Sequence, residues 1–342
     1  MEVKKAKREK LKVPIMLTGA SGSGKTVSAL LIAKGIIEKM FPDLSDDEQW
    51  EKIGVIDTEH KRSLLYAEAT VADVYIGEFL HLDFEPPFTV DNYIKAFNLM
   101  KNSGVEVVII DSISHAWSGE GGILEQVEVL SKGKPNMKMV AWAKVAPLEK
   151  QFMKLVTGNS VYVIATARSK QAYSMEKDEK GKTTVEKVGL KPDQKDVLEY
   201  EFAIALRMDQ DHNAEATKDN SNMFNLPFSV TTEIGHKIFD WSDTGVDLEK
   251  QQEELITHVT ELANKSEEHE KKFNEMHAQL NNLPLKKFKA NVLERMAKVL
   301  ESVVIPEPEN VEVSSEQKNE EQTQLFDDKK PPIDITEDVE KK

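Results

Sequence analysis

The run Val13-Pro-Ile-Met-Leu-Thr-Gly19-Ala20-Ser21-Gly22-Ser23-Gly24-Lys25-Thr26 leaves few folds open to this chain. A short apolar segment meets a glycine-rich turn, and a helical pattern follows. The spacing Gly19-x-x-x-x-Gly24-Lys25-Thr26 is that of a phosphate-binding P-loop. Glycines let successive backbone N–H groups turn toward one anion. The helix predicted from Val27 to Met40 has apolar Leu30, Leu31, Ala33, Ile36 and Ile37. It aims the positive end of its dipole at the same point. Lys25 is expected to reach the β- and γ-phosphates of ATP, and the Thr26 hydroxyl to ligate Mg²⁺. The whole loop, Gly19 to Val27, is the expected nucleotide contact.

Composition bounds what surrounds this loop. The chain has 342 residues, 39% hydrophobic and 31% charged, with a net charge of −15. So low an apolar share fits a globular core diluted by solvated segments. An acidic chain can bind nucleic acid only through a local basic patch. Cysteine is absent, which excludes a disulfide framework and thiolate metal sites. Residues 1–12 are basic but have no apolar run of the kind a signal peptide needs, and read as a flexible arm. No stretch is apolar enough to span a membrane. A soluble, cytoplasmic protein is expected.

Further strands end in chemistry. Ile53 to Ile56 is a short buried strand running into Asp57-Thr-Glu59-His60. In an open parallel sheet ligands sit beyond the carboxyl ends of strands. Glu59 there could take a proton from the water attacking the γ-phosphate. Equally, Asp57 and Glu59 could cap the next helix. Val105 to Asp111 is an apolar strand ending in an acid, the Walker-B pattern, so Asp111 is expected to support Mg²⁺ beside Thr26. Val161 to Lys170 is another buried strand, ending with Thr166 and Arg168 as candidate γ-phosphate sensors. A surface ion pair is the plainer role for Arg168.

Between these strands the pattern is mixed. Phe41 to Gln49 and Phe79 to Asp91 read as loops, Asn92 to Ser103 and Met137 to Thr157 as helices, and Ile113 to Gly122 as a mobile glycine-rich loop. Tyr173 to Val188 reads as a hairpin turning at Asp178 to Gly181. Its Lys180 and Lys182, with Lys170 and Tyr173, suit single-stranded nucleic acid. Glu176, Asp178, Glu179 and Glu186 suit an ordinary solvated hairpin as well. Glu201 to Met208 is a further strand. Ala214 to Lys218 and the residues around Phe224 are candidate partners for it.

From Asp247 the chain changes character. Leu255, Val259 and Leu262, then Phe273, Met276 and Leu280, recur at helical spacing, and Leu285 to Val304 reads as another helix with Phe288, Val292, Met296 and Val299 on one face. These stripes read as packing faces. From Pro306 onward twelve acidic residues stand against five lysines, the signature of a disordered tail. The expected organisation is an arm (1–12), an α/β core with a mostly parallel sheet (13–245), a helical extension (246–305) and an acidic tail (306–342).

Two segments point to a family. Val55-Ile-Asp57-Thr-Glu59-His60 resembles the RecA strand that ends in the catalytic glutamate, and Val108-Ile-Ile-Asp111-Ser112 resembles the RecA Walker-B strand. Asp111-Ser-Ile-Ser-His115-Ala-Trp117, Ala141 to Pro147, Val163 to Lys170 and Leu198 to Phe202 look like phage-encoded RecA-like P-loop ATPases. That group includes single-strand annealing proteins of phage recombination. The resemblance spans residues 12 to 245. It implies that Glu59 is the general base and that Thr166 and Arg168 link the γ-phosphate to DNA loops. It further implies that single-stranded DNA is held after Asp111 and after Lys170, and that the protein forms homo-oligomers. Such ATPases insert a Lys-x-Arg pair from a neighbouring subunit. Lys218 matches the lysine, while Asn220 stands where the arginine is expected.

An ATP-dependent recombination or annealing factor is thus one expectation. An ATPase switch that loads a helicase or clamp in replication is the other, with a nucleotide-binding interaction protein of negligible turnover as a third. In the tail, Gln322-Thr-Gln-Leu325-Phe326 resembles the short peptide by which bacterial replication proteins dock on the sliding clamp. A clamp or a single-strand-binding protein is the partner that the tail suggests.

Overall fold

The computed structural model describes residues 5–71, 73–158, 160–177, 183–194 and 198–303, with residues 170–177 and 183–192 described by their backbone. The chain divides into two units. One spans Lys10–Thr244; the other takes up the two ends of the chain, to Glu9 and from Gly245.

In the larger unit, β1 (Pro14–Gly19) is buried along its whole length. A strand apolar on both sides demands cover on both faces. The chain supplies it in alternation. After β1 come α1 (Lys25–Met40), α2 (Asp46–Trp50), β2 (Ile53–Asp57), β3 (Ala69–Val71), β4 (Val74–Ile76), β5 (Leu80–Asp83), α3 (Val90–Asn102) and β6 (Val107–Asp111). Then follow α4 (Ser114–Ser118), α5 (Ile123–Ser131), α6 (Lys138–Val156), β7 (Tyr162–Lys177), β8 (Thr183–Pro192), β9 (Ile204–Met208), β10 (Asn213–Asp219), β11 (Phe228–Ser229) and α7 (Thr232–Ser242). Among the described residues the main sheet runs β11-β10-β9-β1-β7-β6-β2-β5, and β8 pairs with the outer half of β7. From β9 to β5 every pairing is parallel, and β10 and β11 add an antiparallel edge. This is the mostly parallel α/β sheet of a P-loop NTPase core.

Register decides where chemistry can gather. Gly19 lies opposite Arg168, and Asp57 opposite Asp111. The carboxyl ends of β1, β7, β6 and β2 therefore share one rim of the sheet. Ile15, Leu17, Val55, Ile109 and Ile164 pack with α1 and α7 on one face. Met16, Ile56, Val108, Ile110 and Val163 pack with α3 and α6 on the other. Helices α1 and α7 meet backbone to backbone. A Cβ on Gly35 would lie 2.0 Å from the Thr232 carbonyl oxygen, and one on Gly235 would lie 2.3 Å from that of Ile32. Only glycine permits this approach, which beds the P-loop helix against its neighbour.

Several boundaries differ from the sequence expectation. Leu80–Asp83, expected as loop, is the edge strand β5; His81 and Asp83 dilute its apolar pattern, and pairing with β2 supplies what propensity does not. Asp46–Trp50, also expected as loop, is helical because Ser45 and Glu48 form a reciprocal capping box. The glycine-rich stretch after Asp111 contains α4. Phe224 joins no strand, and the last strand of the sheet is β11. Residues 10–12, read as the end of a flexible arm, are tied to the core. Lys10 pairs with Asp243 at 2.8 Å, Leu11 N–H donates to the Ser242 carbonyl, and Lys12 pairs with Glu106 at 2.8 Å.

The smaller unit is helical: α8 (Leu248–Ala263), α9 (Glu267–Gln279) and α10 (Ala290–Glu301). The striped positions expected to pack do so. Val259, Met276, Leu280, Phe288, Val292, Leu293, Met296 and Leu300 form one buried cluster. Among the described residues there are three helices here, not two long runs, because the first run breaks at Asn264–Ser266, where the Ser266 side chain caps α9; α10 in turn starts only at Ala290, after a 3-10 turn at Leu285–Lys287. The acidic tail, with Leu325 and Phe326, lies outside the described residues. No helix among the described residues is long and apolar enough to cross a membrane.

Candidate nucleotide-binding site

A cleft of about 920 Å³ opens at the carboxyl rim of the sheet. Ser21, Gly22, Gly24, Lys25, Thr26 and Val27 form one wall, and Glu59, Asp111 and Arg168 another. The sequence expectation thus assembles in space from four separate segments.

The phosphate side is local. Gly24 caps α1 in the left-handed region at φ 82°, and a Cβ there would sit 2.9 Å from His212 Nδ1. Lys25 Nζ donates to the carbonyls of Gly19 (3.0 Å) and Ala20 (2.8 Å), which holds it over the loop. Burial pulls the Lys25 ammonium below its ordinary pKa, while the charges of Asp111 and Glu59 oppose that pull. Ser23 Oγ is buried in the loop without a hydrogen-bond partner. The hydroxyl packs beneath Gly19, away from the cleft, and the Ser23 N–H donates to the Ala20 carbonyl within the loop.

Thr26 Oγ1 donates to Asp111 Oδ2 at 2.5 Å, and Thr166 Oγ1 donates to Asp111 Oδ1 at 2.5 Å. Burial pushes the Asp111 carboxyl up, and these two hydroxyls counter it. A hydroxyl and a carboxylate facing a phosphate cradle are hard oxygen donors, the set that suits Mg²⁺. Thr166 is fully buried and reaches the cleft through Asp111.

Asp57 and Glu59, two residues apart, have separate tasks. Asp57 is fully buried and accepts from Glu59 N–H (2.7 Å), Ser63 N–H (2.9 Å) and Ser63 Oγ (2.5 Å). It shapes the turn after β2; the 3-10 turn that follows (Arg62–Tyr66) has Lys61 at its N-cap and no side-chain cap from that residue, so Asp57 and Glu59 are not the pair of helix caps that the alternative expected. Glu59 points into the cleft. Arg168 grips both of its oxygens: Nε donates to Oε1 at 2.7 Å, and Nη2 donates to Oε2. Ser112 Oγ donates to Oε1 at 3.1 Å. Burial alone would push the Glu59 carboxyl up; the Arg168 hydrogen bonds and charge reverse this and hold it below the usual carboxylate range. The same contact raises Arg168.

Other expected residues stand apart. Lys218 on β10 pairs in register with Ala205, near the start of β9 and at the opposite rim from Gly19, and its Nζ donates to the Tyr200 carbonyl. It is therefore not part of this chain's own cleft. Lys170 and Tyr173 lie on β7, opposite Lys191 and Lys187 of β8. Lys180 and Lys182 lie outside the described residues. The hairpin's root is fastened to the loop after β6. Arg168 N–H donates to Ser114 Oγ (2.9 Å), Ser118 Oγ donates to Asp193 (2.8 Å), and Gln194 donates to the Ile113 carbonyl.

Tyr66, Val71, His212 and Val230 complete the cleft walls from distant segments, and no local pattern marks them. The only local signal of Thr58 and Ser112 is a hydroxyl directly after a strand-end acid.

Residues 11–272, well over half of the chain, match the model of the AAA domain family, and the chain belongs to that family. It carries an AAA-type P-loop ATPase domain. No curated protein matches the chain.

Proposed function

We propose that this protein is a Mg²⁺-dependent ATP hydrolase, with Glu59 as general base, whose turnover responds to single-stranded DNA in phage recombination or strand annealing. The observation that carries the catalytic part is the meeting of Glu59 and Asp111, from adjacent strand ends, in one cleft with Lys25 and Thr26. Lys25 binds the β- and γ-phosphates, and Thr26 and Asp111 would hold Mg²⁺. Bound there, the metal would neutralise charge on the phosphate oxygens. Tyr66, Val71 and Val230 give the cleft an apolar wall for the base of the nucleotide. Arg168 is the cation nearest Glu59 and the candidate γ-phosphate contact. Glu59 takes the proton from the attacking water as that water's oxygen bonds to the γ-phosphorus and the bond to the β-γ bridging oxygen breaks. Support for the DNA part is the RecA-like resemblance, together with a two-stranded arm rooted directly beyond Arg168. The same resemblance supports a homo-oligomer, with Lys218 offered to a neighbouring copy.

The test measures ATP turnover of the wild type and of Glu59→Gln, each with and without a single-stranded oligonucleotide. Glu59→Gln should bind nucleotide normally and turn over about 10²–10⁴-fold more slowly. The oligonucleotide should speed the wild type, and the gain should fade steeply with salt. Full turnover in Glu59→Gln would place the base elsewhere. No binding and no stimulation at low salt would remove the DNA part and favour the replication-switch reading.

A further inference from the structure

Behind Glu59 lies a set of polar contacts that the reaction as described does not use. Ser112 Oγ, which donates to Glu59 Oε1, belongs to a residue locked on three sides. Its N–H donates to Thr58 Oγ1 at 2.8 Å. Its carbonyl accepts from Tyr93 Oη at 2.9 Å and lies 3.2 Å from Thr58 Oγ1. Thr58 Oγ1 is in turn 2.7 Å from His115 Nδ1. The His115 ring is stacked on Phe88, centroids 4.7 Å apart at 18°. Thr58, Ser112 and Glu59 are all buried.

The Thr58 hydroxyl has one proton and two acceptors in reach. It already accepts from Ser112 N–H, so His115 decides what its proton does. Burial and the Arg168 charge hold His115 below its ordinary range, which favours the neutral ring. With Nδ1 as acceptor, Thr58 donates to His115 and its rotamer is fixed. The contacts then run His115 to Thr58 to Ser112 to Glu59 Oε1. Were Arg168 to turn toward an anion in the cleft, Ser112 would be the described contact left on the carboxylate. It would hold Oε1 and leave Oε2 to face water.

We propose that His115 is a positioning residue for hydrolysis, acting through Thr58 and Ser112 to aim the Glu59 carboxylate without touching nucleotide. This rests on the reading of Glu59 as the base. A ring that merely fills space beside Phe88 would be replaceable by any ring of similar size.

The experiment compares kcat and KM for ATP in the full chain for wild type, His115→Phe, His115→Asn, Glu59→Gln and the double variant His115→Phe with Glu59→Gln. Phenylalanine keeps the stack and loses Nδ1; asparagine restores a polar group near that position. His115→Phe should lower kcat about tenfold or more, since small misplacements of a reacting group are costly, with KM within about twofold of wild type. His115→Asn should recover most of the loss. In the Glu59→Gln background, His115→Phe should cost nothing further, because both changes act on one group. Thr58→Val, which removes the hydroxyl at constant volume, should reproduce the pattern should His115→Phe fail to fold. Wild-type kcat in His115→Phe, or an equal further loss in the double variant, overturns the proposal. So does a rise in KM that asparagine does not repair. Normal turnover in Glu59→Gln would instead overturn the base assignment, and the positioning role with it.

Discussion

The two halves of the cleft are built in opposite ways. The phosphate half comes from one contiguous run, β1 through the start of α1, and its cation is held by the loop's own backbone: Lys25 donates to the Gly19 and Ala20 carbonyls. The base half is drawn from the ends of β2, β6 and β7, and it is closed: both Glu59 oxygens are taken by Arg168 and one also by Ser112. A cation resting on neutral carbonyls can turn to an anion at little cost, whereas a carboxylate paired with a guanidinium must first be released. On the proposed roles, binding and hydrolysis should therefore be separable, so that one substitution removes one without the other.

Lys25→Ala strikes the phosphate half and should have the largest effect. Loss of a charge-assisted contact to phosphate should weaken ATP binding about a hundredfold or more, as read by titration with a fluorescent nucleotide. Unchanged affinity would break the comparison at its root. Arg168→Ala strikes the closed half. Turnover should fall on the order of a hundredfold, the usual cost of losing one charge stabiliser, while ATP binding changes far less. Its pH profile sharpens the point. Burial pushes the Glu59 carboxyl up, and Arg168 is what holds it down. A base works only when ionised, so activity falls as pH drops through its pKa. Without Arg168 that pKa rises, and the acid limb of kcat/KM should move to higher pH. A limb that stays in place, or moves lower, would mean that Glu59 is not the titrating base. Gly235→Ala touches neither half, only the bed of α1. A Cβ 2.3 Å from the Ile32 carbonyl should cost about 2 kcal/mol, roughly 5 °C in the melting temperature of the folded chain. A thermal scan without a shift would show that α1 and α7 can part freely.

The same contrast explains what could be read in advance. The P-loop is legible because its chemistry lies within a few neighbouring residues, and Asp111 because an apolar strand announces it. The sheet was legible from the runs at Ile53, Val107 and Val163. For Glu59 the sequence offered two roles, and the two acids separate: Asp57 turns back to hold the Ser63 and Glu59 amides, and Glu59 faces the cleft. Register places Asp57 beside Asp111, and the turn that Asp57 then holds aims Glu59; neither is visible in one strand alone. His115 and Thr58 come together across 57 positions of sequence, so no local pattern links them. Strand β5 hid for the opposite reason: its polar His81 and Asp83 are tolerable only at an edge.

Strand β7 carries a mechanical implication. It is a single strand of 16 residues. Its first half is clamped in the middle of the sheet between β1 and β6; its second half leaves them and, among the described residues, pairs with β8. Thr166 and Arg168 sit at the point of exit, where the Ser114 hydroxyl pins the backbone. A loop would absorb a pull in its own slack. A continuous strand leaves no slack between the far arm and Arg168, the residue that holds Glu59.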